Sequence, residues 1–353
     1  MKISLCIPQF NRIEYLLKNL QYIEKQTYSN IEVVISDDCS TDDTEIEINK
    51  LIKKGYKYPI IYSQNENNLG YDRNFRRSVE LATGEYVVVL GNDDSLNPEY
   101  EISKLVSFLK ENNYPEVGFA NFIEEANNNI LVERAKITGI LGTGVQNALN
   151  YYSCFSFVGG LIYKKNYFLQ YNTNKHDGSI YAQIYLGCLM VSSGAMLFSI
   201  KEPLVVKDLV IESEHRNSYK DVIAKKWSDF KIETGGLPSV INVLITVLED
   251  TNNLSKEIVY KIFKRIYTKT FPFWIIDYRS NNAYPAAIGL IVGLYPFKNS
   301  NLSKLDFIGK VKVTRIYFFY SFIGLIIPIF IFTKMKKMIY KKIKNEKSFN
   351  RWS

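Results

Sequence analysis

Residues 85–94 read EYVVVLGNDD, and this stretch decides the fold. Its first six residues, Glu85–Leu90, are apolar from the second onward and rich in valine, which is typical of a strand buried on both faces of a sheet. Gly91 and three polar residues follow at once, and the last two of these are Asp93 and Asp94. The stretch therefore predicts a central strand that ends in a turn carrying two adjacent carboxylates.

Strand and helix patterns alternate on both sides of this stretch. Apolar runs predict further strands at Ile3–Pro8, Ile31–Ser36, Pro59–Ser63 and Val117–Asn121. Helical spacing predicts helices at Ile13–Glu24 and Asp72–Ala82, with others starting near Thr41 and Pro98. This alternation is typical of an α/β fold with a mostly parallel, doubly wound sheet. Beyond residue 220 the pattern becomes helical, at Val222–Ile232, Ser239–Leu248 and Lys256–Ile266.

Polar motifs follow three of the predicted strands. Pro8-Gln9-Phe10-Asn11 ends the first, Asp37-Asp38 the second, and Asn92-Asp93-Asp94 the strand at Glu85–Leu90. In doubly wound sheets ligands bind beyond the carboxyl ends of the strands. We therefore expect these motifs to meet at one acidic rim.

Composition excludes several classes of site. Only two of the 353 residues are histidines, His176 and His215, which excludes a histidine-rich metal cluster. The four cysteines are widely spaced, which argues against a zinc site or a disulfide framework and fits a reducing compartment. No signal-peptide pattern follows Met1, so we expect the catalytic part to stay in the cytoplasm.

The positive charge is concentrated near the C-terminus. The formal net charge is +8, yet residues 301–353 alone hold twelve Lys and Arg against Asp306 and Glu346. Proteins that bind nucleic acid more often spread basic residues over their main domain, so we expect no nucleic-acid partner. These basic residues flank the most apolar stretch of the chain, which favours contact with a membrane surface.

That apolar stretch, residues 316–333 (IYFFYSFIGLIIPIFIFT), carries no charge and contains Pro328. It is about as long as the shortest spanning helices, and its proline would kink a helix. Basic residues on both sides favour an interfacial or re-entrant segment, with peripheral or monotopic attachment to the cytoplasmic face of the inner membrane. A true span and a buried core helix remain alternatives.

Three motifs together resemble the family 2 glycosyltransferases of the GT-A fold. They are SLCIPQFNR at residues 4–12, VVISDDCSTDDT at 33–44 and NLGYDRNFRRSVELATGEYVVVLGNDDSL at 68–96. With FVGGLIY at 157–163, the third is similar to the abequosyltransferase-like branch, which builds O-antigen and related surface glycans. The resemblance implies a Rossmann-like GT-A domain over residues 1–215. We expect a helical region at 216–300 and a membrane-associating C-terminus at 301–353.

The resemblance implies transfer of a sugar from a nucleotide-sugar donor to a glycan acceptor, with inversion, in surface polysaccharide biosynthesis. The basic, apolar C-terminus makes a lipid-linked acceptor our expectation. Mn²⁺ or Mg²⁺ would neutralise the departing diphosphate. Asp93 and Asp94 are the implied metal ligands, although Gly91 replaces the family's first acidic residue. His215 or Arg216 is a candidate for completing metal or phosphate binding, with a plain surface loop as the alternative.

The residues implied in donor binding share positions just beyond strand ends or at the start of a helix. They are Pro8, Phe10, Asn11, Asp38, Asn68, Arg73, Asn92 and Asp93. Asp38 would accept a hydrogen bond from the base, and Arg73 would pair with the diphosphate. A turn carboxylate is the alternative for Asp38, and a solvated helix face is the alternative for Arg73.

The general base is the least defined part of the predicted site. The family usually supplies a carboxylate just before a helix that starts after residue ~170, and Asp177 is the carboxylate found there. His176 is the second candidate. Alignment by spacing to the next strand would instead place Gln183 or Tyr181, neither of which is a competent base. A non-catalytic, membrane-bound scaffold therefore stays an alternative, and so does a sugar nucleotidyltransferase, which should however open with a Gly-rich loop. The oligomeric state is left open.

Overall fold

The computed structural model describes residues 1–211 and 235–334, which fall into two compact units. The first unit contains residues 1–177 and 186–211, and the second contains residues 178–185 and 235–334. The predicted helix at Val222–Ile232 lies outside the described residues.

The first unit is built on a mixed sheet. Its strands are β1 Ile3–Gln9, β2 Ile31–Asp37, β3 Ile60–Gln64, β4 Tyr86–Val89, β5 Ser95–Leu96, β6 Val117–Glu124, β7 Ile130–Val132, β8 Gly139–Gly142, β9 Leu161–Lys164 and β10 Leu197–Lys207. The main order is β3-β2-β1-β4-β9-β6-β10-β5, with β7 paired to β6 and β8 to β10. The neighbours from β3 to β4 are parallel, as predicted. The rest is more mixed than expected, because β9 is antiparallel to both β4 and β6.

Helices flank the sheet, and the first four of them lie at or near the positions predicted from the sequence. They are α1 Ile13–Ile23, α2 Thr44–Lys54, α3 Tyr71–Leu81, α4 Ile102–Glu111, α5 Val145–Tyr151, α6 Lys165–Tyr171 and α7 Ala182–Ser192, the last of which crosses the boundary between the units. In α1 the buried side chains include Tyr15, Leu16, Leu20 and Ile23, one face of a helix. The predicted α/β fold class is confirmed.

The core explains why the central strands are mostly apolar. Every residue of β2 and β4 is buried, and only Pro8 of β1 is partly exposed. Cys6 pairs in register with Val34 on one side and Val89 on the other. A strand with sheet on both sides and helices on both faces has no solvent-facing position, so it needs no alternating polar residues.

One buried carboxylate ties the start of β1 to the turn before β4. Glu32 on β2 accepts hydrogen bonds from Ser4 Oγ at 2.6 Å and from Thr83 N at 2.6 Å, and it lies 2.5 Å from Lys2 Nζ. Burial would raise its pKa, but the bonds from Lys2, Ser4 and Thr83 outweigh burial and lower the pKa to about 2. The ionised form of Glu32 therefore stabilises the fold.

The described part of the second unit is helical. Its helices are α8 Val240–Asp250, α9 Lys256–Arg265, α10 Phe271–Ser280, α11 Tyr284–Gly293 and α12 Phe307–Ile326, with a π-helical turn at Ile266–Thr270 joining α9 to α10. Asp306 caps α12 by accepting from Gly309 N at 2.7 Å. Among residues 1–211 and 235–334, none of the helices combines the length and the hydropathy of a membrane-spanning segment.

Candidate active site

A left-handed turn follows β1 and links it to the loop after β2. Asn11 and Arg12 have φ angles of 52° and 60°. Asn11 accepts a hydrogen bond from Thr41 N at 2.8 Å and donates its own N–H to Ser40 Oγ at 2.8 Å. Asparagine tolerates this conformation better than most residues. The turn leaves Phe10 44% exposed, at the rim of the sheet.

Asp38 faces the loop that precedes α3. Its side chain is only 3% exposed. It accepts hydrogen bonds from Leu69 N at 2.7 Å, Gly70 N at 2.9 Å and Asn65 Nδ2 at 3.1 Å. Through these hydrogen bonds Asp38 stabilises the loop that leads into α3. Its contact with a nucleotide base stays a prediction.

The turn after β4 carries the two adjacent carboxylates. Asp93 Oδ2 lies 3.1 Å from Arg12 Nη1, so the turn after β1 reaches the turn after β4. Asp94 is only 2% exposed and accepts from Asp208 N at 3.2 Å. Burial and the charge of Asp93 both raise the pKa of Asp94. Beside them, Asn92 Nδ2 lies 3.4 Å from the Phe10 carbonyl oxygen.

Gly91 leaves a space into which both carboxylates point. A Cβ at Gly91 would lie 2.5 Å from Asp94 Oδ2 and 3.1 Å from Asp93 Oδ1. Two carboxylate oxygens from different residues thus converge on the open side of the glycine. Hard divalent cations prefer such oxygens and often take their other ligands from phosphates and water. The donor set therefore fits Mn²⁺ or Mg²⁺, although residues 1–211 and 235–334 contain no group of three or more His, Cys, Asp or Glu suited to a metal.

A polar cavity of about 1070 Å³ lies between the end of β3, α3 and the segment after α6. Arg73 and Asp177 both line it. Arg73 is exposed at the start of α3. Asn68 does not line the cavity, but its Oδ1 accepts from Gly70 N at 3.1 Å in the same loop.

Asp177 forms an ion pair across this cavity. Arg76 Nε donates to its Oδ1 at 3.0 Å, and Arg76 Nη2 donates to its Oδ2 at 2.5 Å. Arg76 also donates to Asn172 Oδ1 at 3.3 Å, so the guanidinium clamps the segment after α6 onto α3. His176 precedes this pair and is half-buried. The role of either residue as a base stays a prediction, and His215 and Arg216 lie outside the described residues.

Comparison with known families agrees with this geometry. Residues 4–171 match the model of glycosyl transferase family 2. These residues form a family 2 glycosyltransferase domain.

Curated relatives of the family 2 domain include two glycosyltransferases with named activities. Abequosyltransferase RfbV of Salmonella typhimurium is 50% identical over 98 residues, 27% of this chain and 29% of that protein. The GalNAc(5)-diNAcBac-PP-undecaprenol beta-1,3-glucosyltransferase of Campylobacter jejuni is 34% identical over 95 residues, 27% of this chain and 30% of that protein. The matches thus span about three-tenths of these relatives.

Solved structures share the fold over most of the chain. S. aureus TarS 1–349 in complex with UDP-GlcNAc has a TM-score of 0.59 at 19% identity, covering 90% of this chain and 91% of that chain. The mannosyltransferase PcManGT from Pyrobaculum calidifontis, in complex with GDP-Man and Mn²⁺, has a TM-score of 0.52 at 14% identity, covering 97% and 85%. Both likenesses support the GT-A fold.

Sequence reasoning missed two basic residues beside the acidic turn. Arg12 has a local signal, since it directly follows the Pro-Gln-Phe-Asn motif, but its contact with Asp93 depends on two left-handed residues in succession. Lys207 at the end of β10 lies 2.5 Å from Asp208 Oδ2. Burial would lower its pKa, but the charges of Asp208, Glu124 and Asp94 raise it. Nothing in the local sequence links residue 207 to residue 94.

Arg134 is a third residue that the sequence did not single out in the family 2 domain. It is buried, and it donates to Ala120 O at 2.5 Å, Cys154 O at 2.9 Å and Phe157 O at 2.8 Å, and also to Gly159 O. A Cβ at Gly159 would lie 3.0 Å from Asp94 Oδ2. Arg134 therefore fixes the loop that packs against the acidic turn.

Proposed function

We propose that this protein transfers a sugar from a nucleotide-sugar donor to a glycan acceptor during assembly of a cell-surface polysaccharide. The observation that carries the proposal is the convergence of the Asp93 and Asp94 oxygens beside Gly91, at the end of β4 in a family 2 domain. This is the rim at which doubly wound sheets bind their ligands.

Asp93 and Asp94 would hold the divalent cation of this reaction. A bound Mn²⁺ or Mg²⁺ supplies positive charge that stabilises a diphosphate leaving group. Arg12 would then be free to exchange its contact with Asp93 for a phosphate oxygen, since the Arg12 side chain is 53% exposed. Phe10, Pro8 and the turn at Asn11 would frame the base of the donor.

Asp177, with His176 as second candidate, is proposed as the general base of an inverting transfer. A base removes the proton of the acceptor hydroxyl as the sugar is attacked. The pairing with Arg76 ties Asp177 to α3, so donor or acceptor binding in the cavity must loosen that pair before Asp177 accepts a proton. Asp177→Asn should therefore lower kcat far more than it raises the KM of the donor.

We further propose that the acceptor is lipid-linked and that residues 301–353 hold the enzyme at the cytoplasmic face of the membrane. The basic and apolar sequence of this region supports membrane contact. The Campylobacter jejuni relative is named for an undecaprenol-linked saccharide, which supports an acceptor of that class.

The direct test is a screen of nucleotide-sugars for Mn²⁺-dependent thermal stabilisation and donor hydrolysis. Ligands that bind only the folded state raise the melting temperature by mass action. Asp93→Ala and Asp94→Ala should abolish the Mn²⁺-dependent response, while Glu111→Ala at the exposed end of α4 should leave it unchanged. A response that survives both aspartate changes would show that the cation binds elsewhere, whereas a wild-type chain that binds donors but hydrolyses none would point to a scaffold without turnover.

A further inference from the structure

One face of α12 is fixed against the second unit. Tyr317 stacks on Phe271 at a centroid distance of 5.6 Å and donates to Ile291 O at 2.8 Å. A Cβ at Gly324 would lie 3.0 Å from Ile275 of α10, so the two helices approach closely there. Val313 is buried on the same stripe. This side of the helix therefore packs against the core of the second unit.

The opposite face of α12 is apolar and exposed. Phe319 and Phe322 are 58% and 61% exposed, and Ile326 continues the same face one turn later. Phe330, just beyond the helix, is 74% exposed. Contiguous apolar patches of this kind are unusual on proteins surrounded only by water, and they mark interaction surfaces.

Charge on this face is entirely positive. Lys312 and Arg315 are exposed one to two turns before the phenylalanines, and Lys334 follows them. No acidic residue occurs between Phe307 and Lys334. A second copy of this face would bring the same cations and no carboxylate, whereas an anionic lipid surface supplies the missing negative charge.

A side chain from α10 satisfies two carbonyl groups at the end of α12. The helix stops at Ile326, and Pro328 cannot donate a backbone hydrogen bond. Arg279 on α10 donates to the carbonyl oxygens of Gly324 at 2.7 Å and Ile327 at 3.0 Å. Carbonyl groups at a helix break are tolerated in an apolar medium only when protein groups satisfy them.

The chain after the break is also anchored. Phe332 is buried and packs on Phe273 of α10 with ring centroids 5.4 Å apart. Ile331 N donates to Pro328 O at 3.1 Å. Both sides of the break are therefore held against α10, while Phe322, Ile326 and Phe330 are all exposed.

We propose that this face of α12 seats itself in the boundary between headgroups and acyl chains of an anionic bilayer. Lys312 and Arg315 would contact lipid phosphates, and Phe319, Phe322 and Phe330 would enter the acyl region. The inference rests on the proposed function in that the lipid-linked acceptor would lie in the same membrane. It assigns the attachment to one folded helix face, not to the basic tail as a whole.

The experiment is co-sedimentation of the full chain with vesicles of phosphatidylcholine alone and of equal parts phosphatidylcholine and phosphatidylglycerol. Phe319→Ser with Phe322→Ser should weaken binding to the mixed vesicles by at least about tenfold, because both rings leave the apolar phase. Phe297→Ser, a 61% exposed phenylalanine outside α12, is the matched control and should bind as the wild type does.

Two further measurements keep the proposal open to refutation. Lys312→Gln with Arg315→Gln should lower the preference for vesicles that contain phosphatidylglycerol about tenfold and leave the weak binding to phosphatidylcholine unchanged. Unchanged binding of the double-phenylalanine variant would assign attachment elsewhere and overturn the proposal. If that variant binds vesicles normally but no longer self-associates in their absence, the face is an interface between copies of this chain, and the proposal is equally overturned.

A separate assay, donor hydrolysis without vesicles, tests the proposed function. Donor hydrolysis needs no membrane. A chain that binds vesicles but hydrolyses no donor would therefore contradict the transferase proposal and leave the membrane proposal standing. Because both phenylalanines are exposed, melting temperatures of the variants should match the wild type and confirm that they are folded.

Discussion

Substituting Gly91 tests the acidic turn without removing either carboxylate. A Cβ at this position would lie 2.5 Å from Asp94 Oδ2, whereas ordinary contacts begin at 3.4 Å. The backbone at Gly91 is not left-handed, so alanine meets only this steric conflict. Asp94 is buried and bonded to Asp208 N, and it has little room to retreat. We expect Gly91→Ala to cost about 1–3 kcal/mol of unfolding free energy.

The same change should weaken Mn²⁺ binding by at least about tenfold, equivalent to about 1.4 kcal/mol, because it separates the two oxygens that converge there. Calorimetric titration with Mn²⁺ alone measures this without knowledge of the donor. Gly91→Asp should bind no better than Gly91→Ala, even though it restores the family's usual acidic residue, because its Cβ meets the same oxygen.

Gly55→Ala is the matched control for stability. Gly55 has a φ of 87° and nothing within 4 Å of its Cβ position, so alanine there costs about 1 kcal/mol through backbone strain alone. Its Mn²⁺ affinity should equal that of the wild type. If Gly91→Ala also kept full stability and full Mn²⁺ affinity, the convergence of Asp93 and Asp94 beside Gly91 would be refuted.

Three other substitutions test separate parts of the first unit. Glu32→Gln should lower the unfolding free energy by about 1–2 kcal/mol at pH 7, because a carboxyl with a lowered pKa stabilises the fold above its unfolded pKa of about 4.3. Urea titrations should show this difference disappearing as pH falls from about 4 to about 2. Arg12→Ala should tighten binding of Mn²⁺ alone severalfold in the same calorimetric assay, since it removes the cation that occupies Asp93. Arg134→Leu should lower the free energy of unfolding by about 3–5 kcal/mol, because several buried carbonyl groups lose their hydrogen-bond donor. A urea midpoint close to that of the wild type would contradict the role of Arg134 in holding the loop at residues 154–159.

Much of the first unit was accessible from sequence because its strands are buried on both faces. The runs at Ile3–Pro8, Ile31–Ser36 and Glu85–Leu90 are mostly apolar, and each became a central strand with a parallel neighbour. The antiparallel β9 was not foreseen, since a strand of three apolar residues and a lysine does not encode the direction in which it pairs.

Part of the candidate site could likewise be predicted from the sequence, and part could not. Asp93 and Asp94 follow their strand directly, so their place at the rim follows from the strand itself. The ion pair between Arg76 and Asp177 joins residues 101 positions apart, and no local sequence pattern predicts it. The sequence showed α12 only as an uncharged run, because it does not determine which face of that helix packs against the core.

The reversed direction of β9 has a practical consequence for engineering. Leu161, its first residue, pairs with Val89, the last residue of β4, so the chain enters the acidic rim before β9 and moves away from it along the strand. A recombination seam placed at the far end, near Lys164, would exchange the following segments while the glycine-rich approach to Asp94 stays native. Hybrids joined there should keep their cation site when the incoming segment restores the backbone N–H that Asp208 donates to Asp94, whereas hybrids joined between Phe157 and Gly160 should lose it.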